Sequence, residues 1–140
     1  MVKVILILTI VASLCGCAHQ ARTNSDLYKQ FGGMEKIEQM TDFFIEEISF
    51  DHRIYPFFAE TKIERFREKF IEQICAELGG PCQYSGDSMK DSHAGMDIRE
   101  RDFNRLVELL IVAMERANIS YPLQNQLLNK LAPMREEILP

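Results

Sequence analysis

Apolar residues recur at steps of three and four positions along most of this chain, and that period restricts its fold more than any other feature. Residues spaced in this way share one face of an α-helix, and that face has to be buried against other elements. Strand-like alternation is missing beyond an N-terminal apolar run. The sequence therefore predicts an all-α fold with four main helices. Their apolar stripes are Ile37, Met40, Thr41, Phe44, Ile45 and Ile48; Ile63, Phe66, Phe70, Ile71, Ile74 and Leu78; Phe103, Leu106, Val107, Leu110, Ile111 and Met114; and Leu123, Leu127, Leu128, Leu131, Met134 and Ile138.

Helix boundary signals separate these stripes. Gly32-Gly33 closes a short first helix. Thr61, with Glu64 three positions later, forms a capping-box pattern, which predicts that the next helix begins at Thr61. Gly79-Gly80-Pro81 ends that helix, and Pro122 begins the last one. The boundaries leave a loop and a short helix between the second and third main helices.

Size and charge restrict the class of protein further. A chain of 140 residues suits one domain, and a composition with 46% hydrophobic and 26% charged residues is ordinary for a globular protein with a core. The net charge is −5, and no run of Lys or Arg occurs. Because binding to nucleic acid requires a basic surface, we expect no nucleic-acid partner.

The first residues carry the features of a targeting signal. Lys3 precedes an apolar run over residues 4–14, which is too short to span a bilayer and is typical of a signal peptide. The run ends in Leu14-Cys15-Gly16-Cys17, which resembles the lipobox of bacterial lipoproteins. The pattern implies cleavage before Cys17 and attachment of lipid to its sulfur.

We therefore expect a lipoprotein signal peptide at residues 1–16 and a polar tether at residues 17–26, starting at the lipidated Cys17. The protein would be anchored by this lipid to a membrane of the cell envelope, facing the periplasm or the exterior. Two alternatives remain open, namely secretion with Cys17 unmodified and retention of the leader as an uncleaved anchor.

Two further cysteines, Cys75 and Cys82, lie on either side of a predicted helix end. Outside the cytosol they could form a disulfide. They could equally stay reduced and half-buried, because the sequence does not fix the distance between them. Both alternatives stay open at this point.

The three histidines are the candidates for a metal ligand. His19 lies in the tether, and His52 lies in a polar turn. His93 lies on the short helix that starts near Met89. Spacing alone favours a structural or exposed role for His93, because no HExxH motif, paired cysteine ligands or second histidine at helical spacing indicates zinc. No arrangement of nucleophile and base can be argued from the sequence either.

Several short segments, in a fixed order, make a more specific pattern. They are Leu27-Tyr28-Lys29-Gln30-Phe31-Gly32-Gly33, Tyr55-Pro56-Phe57-Phe58, Gly79-Gly80-Pro81 with Tyr84 and Gly86, the set Met89, His93, Ala94, Gly95, Ile98 and Phe103, and Ala132-Pro133-Met134-Arg135. With these segments the chain resembles the group I truncated haemoglobins from Leu27 to about Leu139. The resemblance implies a globin domain over residues 27–140, built as a two-over-two helical sandwich around one haem b. No CxxCH motif for covalent attachment of c-type haem is present.

The resemblance also assigns roles to residues. His93 falls on the proximal ligand of the haem iron, a role for which globins use a neutral imidazole. Phe58 falls on the phenylalanine that packs flat on the porphyrin, and Met89 belongs to the proximal segment. The positions that match the proximal side and haem edge are Ile98, Phe103, Leu106 and Leu110, although each could also be an ordinary core residue.

The distal side departs from the family pattern. Ile45 takes the position in the first long helix where tyrosine is common, and Phe66 and Phe70 take inward positions where polar donors are common. Donors on this side stabilise bound dioxygen, which carries partial negative charge. We therefore expect carbon monoxide or nitric oxide to bind well and oxygen to be held loosely. Gln73, one turn beyond Phe70, would be a donor if the helix register differed.

Three functions follow from the sequence. The first is reversible binding of a diatomic gas, namely oxygen, carbon monoxide or nitric oxide, at a haem iron held by His93, with the redox partner unspecified. The second is a haem enzyme that removes nitric oxide or peroxide, which would need a polar distal group. The third is a haem-free helical lipoprotein that acts as an adaptor, for which His93 would be an ordinary helix residue.

Overall fold

The computed structural model describes residues 24–139, which form helices and connecting turns and no strand. The helices are α1 (Asn24–Phe31), α2 (Gly33–Phe50), α3 (Ile63–Glu77), α4 (Met89–Ser92), α5 (Glu100–Arg116), α6 (Tyr121–Leu131) and α7 (Arg135–Ile138), with 3-10 turns at Tyr55–Phe57 and Ala132–Met134. The predicted all-α class is confirmed.

Most of the N-terminal predictions lie outside these residues. The signal peptide at residues 1–16 and the lipid-carrying Cys17 are among them. Residues 24–26, which we assigned to the tether, instead form the first residues of α1. Within the part of the chain that the structure describes, no helix is both long enough and apolar enough to cross a membrane.

Helix α2 is at the centre of the packing. It packs against both α5 and α3, and α3 in turn contacts α6. Through these contacts α2 and α3 pack on α5 and α6, which gives the predicted two-over-two helical sandwich. Fully buried side chains between the layers include Ile37, Met40, Ile74, Met114 and Leu127. Burial of each such side chain contributes about 1.5–3 kcal/mol to folding.

The start of α3 differs from the prediction. The capping box expected at Thr61 does not form, because the backbone N–H of Thr61 donates to the carbonyl of Phe58 (2.9 Å) and closes a turn there. The helix begins at Ile63, with Lys62 as its N-cap and without a side-chain cap. The backbone of the preceding turn thus decides where α3 begins, and Thr61 stays exposed.

The end of α3 follows the prediction. Gly79 adopts a left-handed conformation (φ +76°), and the N–H of Gly80 donates to the carbonyl of Cys75 (2.8 Å). A Cβ atom at Gly80 would lie 2.5 Å from the ring of Tyr28 and 2.7 Å from the sulfur of Cys75, so only glycine fits. Cys75 and Cys82 are joined by a disulfide, with 5.8 Å between their Cα atoms, which resolves the question that the sequence left open.

Candidate functional site

A cavity of about 460 Å³ lies between α3, α4 and α5, and its walls are mostly apolar. This volume lies within the range of roughly 300–1,000 Å³ that is usual for cofactor and ligand pockets. The predicted site residues that line it are Phe58, Phe66, Phe70, Gln73, Met89, His93, Ile98, Phe103, Leu106 and Leu110. The fold therefore brings nearly all of the predicted site residues to one place.

Ile45 is the exception. It is half-buried and does not line the cavity, whereas Phe44 does. The buried face of α2 passes through Met40, Thr41, Phe44 and Ile48, and each step along a helix turns the side chain by about 100°. The α2 side chain that lines the cavity is therefore Phe44, one residue before the predicted Ile45.

His93 is the C-cap residue of α4 and lies on the cavity wall. Its Nδ1 atom is 2.7 Å from the carbonyl oxygen of Met89. Because a carbonyl only accepts hydrogen bonds, Nδ1 carries the proton in this contact, and Nε2 is left with its lone pair. A neutral imidazole whose second nitrogen is anchored in this way is a suitable ligand for a metal ion.

Aromatic rings form another part of the wall. The ring of Phe70 lies 5.1 Å from that of Phe44 and 5.6 Å from that of Phe66, and Phe58 meets Phe66 edge-on at 5.0 Å. None of these four side chains has a hydrogen-bond donor. This part of the cavity therefore accommodates a flat apolar group or a small neutral molecule without offering it a polar contact.

Gln73 is a polar exception among the residues that α3 turns toward the cavity. Its Nε2 atom lies 3.4 Å from the sulfur of Met89 and 3.2 Å from the sulfur of Met134. Thioether sulfur is a weak acceptor. The amide of Gln73 thus joins α3 to α4 and to the C-terminal segment, and in this arrangement its N–H groups point at methionine sulfurs.

Basic side chains surround the mouth of the cavity. Lys62, Arg65 and Lys69 line it from the start of α3, and Arg65 makes an exposed ion pair with Asp87 (3.5 Å). The hydrogen bonds that the ammonium group of Lys69 donates to Glu68 and then to Glu72 raise the pKa of Lys69, so it stays protonated. Because the ammonium group of Lys69 is engaged by these carboxylates, Lys62 and the exposed Arg65 are the cations of the mouth that suit acidic groups of a molecule whose apolar body lies inside.

Sequence reasoning missed part of this wall. Met96, Leu131, Met134 and Ile138 line the cavity. Three of them belong to the apolar stripe of the last helix, which we could not distinguish from ordinary core. Among the described residues, no cluster of three or more His, Cys, Asp or Glu side chains could hold a metal ion.

A two-over-two helical sandwich with a single imidazole facing an apolar cavity defines a globin. The comparisons with known proteins agree, because the sequence model of the family described as bacterial-like globin matches residues 26–139. This chain belongs to the bacterial-like globin family, and its curated relatives are group 1 truncated haemoglobins.

Two relatives illustrate the extent of the match. The chain is 30% identical over 114 residues to the group 1 truncated hemoglobin GlbN of Mycolicibacterium paratuberculosis, covering 81% of this chain and 84% of that protein. It is also 30% identical over 115 residues to GlbN of a Nostoc species, covering 82% of this chain and 98% of that protein. The match therefore extends over almost the whole length of the Nostoc protein.

Solved structures show the same fold. The truncated hemoglobin of Tetrahymena pyriformis in its Fe(III) form superposes with a TM-score of 0.77 at 22% identity, covering 81% of this chain and 97% of that one. The 2/2 hemoglobin of a Synechococcus species, in the cyanomet state and with covalently attached heme, superposes with a TM-score of 0.75 at 20% identity and the same coverage.

Proposed function

We propose that this protein binds one haem b in the cavity, with His93 as the protein ligand of the iron, and reversibly binds a diatomic gas there. The observation that carries the proposal is the 2.7 Å contact between His93 Nδ1 and the Met89 carbonyl, which leaves Nε2 available on a cavity wall. Membership of the bacterial-like globin family supports it. When bound, haem supplies an iron with an open position for oxygen, carbon monoxide or nitric oxide.

The residues present fit such a group. The aromatic and aliphatic walls, including Phe58, Phe103 and Leu106, match the apolar face of a porphyrin. Lys62 and Arg65 at the mouth match its acidic side chains, because charge-assisted contacts with carboxylates are the stronger kind of hydrogen bond. Met89 positions the imidazole of His93 through its carbonyl.

The wall formed by Phe44, Phe66 and Phe70 favours reversible gas binding over an enzymatic function. Activation of peroxide, or of oxygen for reaction with nitric oxide, needs a polar group near the bound molecule. These three side chains supply none, and the amide of Gln73 is occupied by two sulfurs. We expect the protein to bind carbon monoxide and nitric oxide readily and to release oxygen quickly.

The test is the absorption spectrum of residues 18–140 after reconstitution with haem, recorded in the ferric, reduced and carbon monoxide-treated states. We expect a Soret band that shifts on reduction and again with carbon monoxide. Absence of a Soret band would leave a haem-free helical module and contradict the proposal. Consumption of nitric oxide by the oxygenated protein over many turnovers would instead favour the enzyme.

We also propose that the protein is a lipoprotein of the cell envelope, with Cys17 carrying the lipid. The apolar run over residues 4–14, followed by Leu14-Cys15-Gly16-Cys17, supports it. The test is metabolic labelling of the full chain with a radioactive fatty acid in a bacterial host. We expect Cys17→Ser to abolish labelling and the matched control Cys15→Ser to keep it; labelling that survives Cys17→Ser would contradict the assignment.

A further inference from the structure

Residues 82–88, which we call the strap, connect the end of α3 to α4 without regular secondary structure. The disulfide between Cys75 and Cys82 fixes the start of the strap to the last turn of α3. At its other end, Ser88 is the N-cap of α4 and accepts a hydrogen bond from the N–H of Asp91 (3.1 Å). The strap therefore determines where α4 begins.

The strap follows the surface of α3 between these two ends. The N–H and hydroxyl of Ser85 both donate to Glu72 (3.0 and 2.9 Å), and the ammonium group of Lys69 donates to the hydroxyl of Ser85 (2.8 Å). Arg65 makes an ion pair with Asp87 near the far end. The contacting residues of α3 are Arg65, Lys69, Glu72 and Cys75, which are spaced by three or four and share one face of the helix.

The strap also forms part of the cavity. Tyr84 and Asp87 line it, and the hydroxyl of Tyr84 donates to the carbonyl of Asp87 (2.7 Å). Burial, followed by the nearby charge of Asp87, raises the pKa of Tyr84, so this hydroxyl remains a donor. A movement of the strap away from α3 would open the cavity on this side.

The position of His93 depends on the strap as well. Helix α4 spans four residues, and a single helical turn is not stable without outside support. Its supports are the Ser88 cap, the packing of α4 against α7 and the contact of Gln73 with Met89. His93 directly follows this turn, so the strap, through the Ser88 cap, is one of the supports that place its imidazole.

The anchors of the strap differ in strength. The Arg65–Asp87 pair is exposed, with side chains 57% and 68% accessible, and such pairs contribute little in water. The contacts of Ser85 are also exposed hydrogen bonds. The disulfide is the covalent link, and a covalent cross-link restricts the conformations that the joined segments can adopt. It therefore dominates the attachment of the strap.

We propose that the Cys75–Cys82 disulfide is a redox-sensitive clamp that holds the strap and His93 in place and thereby controls how tightly haem is kept. This inference rests on the proposed function of the cavity. Cys82 is half-buried and Cys75 fully buried, so a thiolate of a dithiol reductant attacks the sulfur of Cys82. The second thiol of the reductant then resolves the mixed disulfide. Two electrons and two protons pass to the cysteines, which become thiols, and the reductant becomes a disulfide.

The first measurement is the rate at which haem leaves residues 18–140 for an excess of an apo-globin acceptor, before and after reduction with dithiothreitol. We expect reduction to accelerate haem loss by about tenfold or more. Cys82→Ser is the matched variant, because it removes the disulfide and leaves the buried Cys75 in place. It should lose haem as fast as the reduced wild type and should not respond to dithiothreitol.

The second measurement does not need haem. Hydrogen–deuterium exchange of the apo chain should become faster over residues 82–93 on reduction and stay unchanged in α2. Equal haem loss before and after complete reduction would overturn the inference, and so would faster exchange spread evenly over all helices. A wild-type chain without a Soret band in the oxidised state would instead overturn the proposed function, and the inference about haem with it.

Discussion

A single backbone contact determines which ring nitrogen of His93 carries the proton. The Met89 carbonyl accepts the proton of Nδ1, so in the neutral imidazole the lone pair lies on Nε2. Across the cavity, Phe44, Phe66 and Phe70 offer apolar surface without donors. In the proposed function, His93 would hold the iron, whereas these three phenylalanines would give a bound gas no hydrogen bond.

Adding one donor to this wall should change how oxygen is held. Phe44→Tyr places a hydroxyl on the α2 side chain that lines the cavity. A hydrogen bond to a partly charged acceptor is worth about 1.5–3 kcal/mol, so we expect oxygen dissociation to slow by roughly tenfold or more. Stopped-flow measurement of oxygen release tests this prediction.

The control variant is Phe43→Tyr on the same helix. Phe43 does not line the cavity. Its ring instead packs beneath the guanidinium group of Arg116, whose Cζ atom lies 4.3 Å from the centre of the Phe43 ring. Its oxygen dissociation rate should equal that of the wild type. An equal effect of the two substitutions would contradict the assignment of Phe44 to the cavity wall.

At the scale of elements, the corner after α2 depends on Asp51. One carboxylate oxygen accepts the N–H groups of Arg53 and Ile54 (both 3.0 Å), and the other accepts the guanidinium of Arg105 on α5 (2.7 Å). Burial works to raise the pKa of Asp51, but the hydrogen bond from Arg105 and those from the two N–H groups outweigh it, so the pKa is lowered. The charged form thus ties α2, the following turn and α5 together.

The pKa of Asp51 is lower in the folded protein than in the unfolded chain, where it is near 3.9. The charged carboxylate therefore stabilises the fold at pH values above the unfolded pKa. This stabilisation is lost as the pH falls through the folded pKa. We expect Asp51→Asn to lower the free energy of unfolding by about 1–3 kcal/mol at pH 7 and by less at pH 3. Urea unfolding at both pH values measures the difference.

Asp97→Asn serves as the matched control. Asp97 forms a 3.7 Å ion pair with Arg99, but its side chain is 86% exposed, so the substitution should change stability by less than about 0.5 kcal/mol. An effect at Asp51 no larger than that at Asp97 would contradict the role assigned to this corner.

The elements differ in how far the sequence predicts them. The period of apolar residues and the Gly79-Gly80 pair predict the helices and the end of α3, because both depend on local rules. The start of α3 was predicted wrongly, since the Phe58–Thr61 backbone contact uses Thr61 in a turn and this contact has no sequence signal. Ile45 was assigned to the distal side through the family resemblance, whereas Phe44 lines the cavity, because packing decides which of two neighbouring residues faces inward.

At the scale of the whole molecule, the site is assembled from six helices, α2 to α7, together with the turns and loops between them. Family resemblance indicated most of the wall, including His93 and Phe58. The contribution of Met134 and Ile138 could not be predicted, since a residue that lines a cavity and one that fills a core have the same apolar character. The disulfide was likewise undecided, because its formation depends on the path of the strap.

The central claim is that His93 holds haem iron in this cavity, and the most direct test is haem titration of His93→Gly, with and without imidazole, beside the wild type. Residues 18–140 of the wild type should give a Soret band that saturates at one haem per chain. In His93→Gly the band should be weak or displaced, and added imidazole should restore the wild-type spectrum by entering the vacated space. A His93→Gly spectrum identical to the wild type without imidazole would contradict the claim.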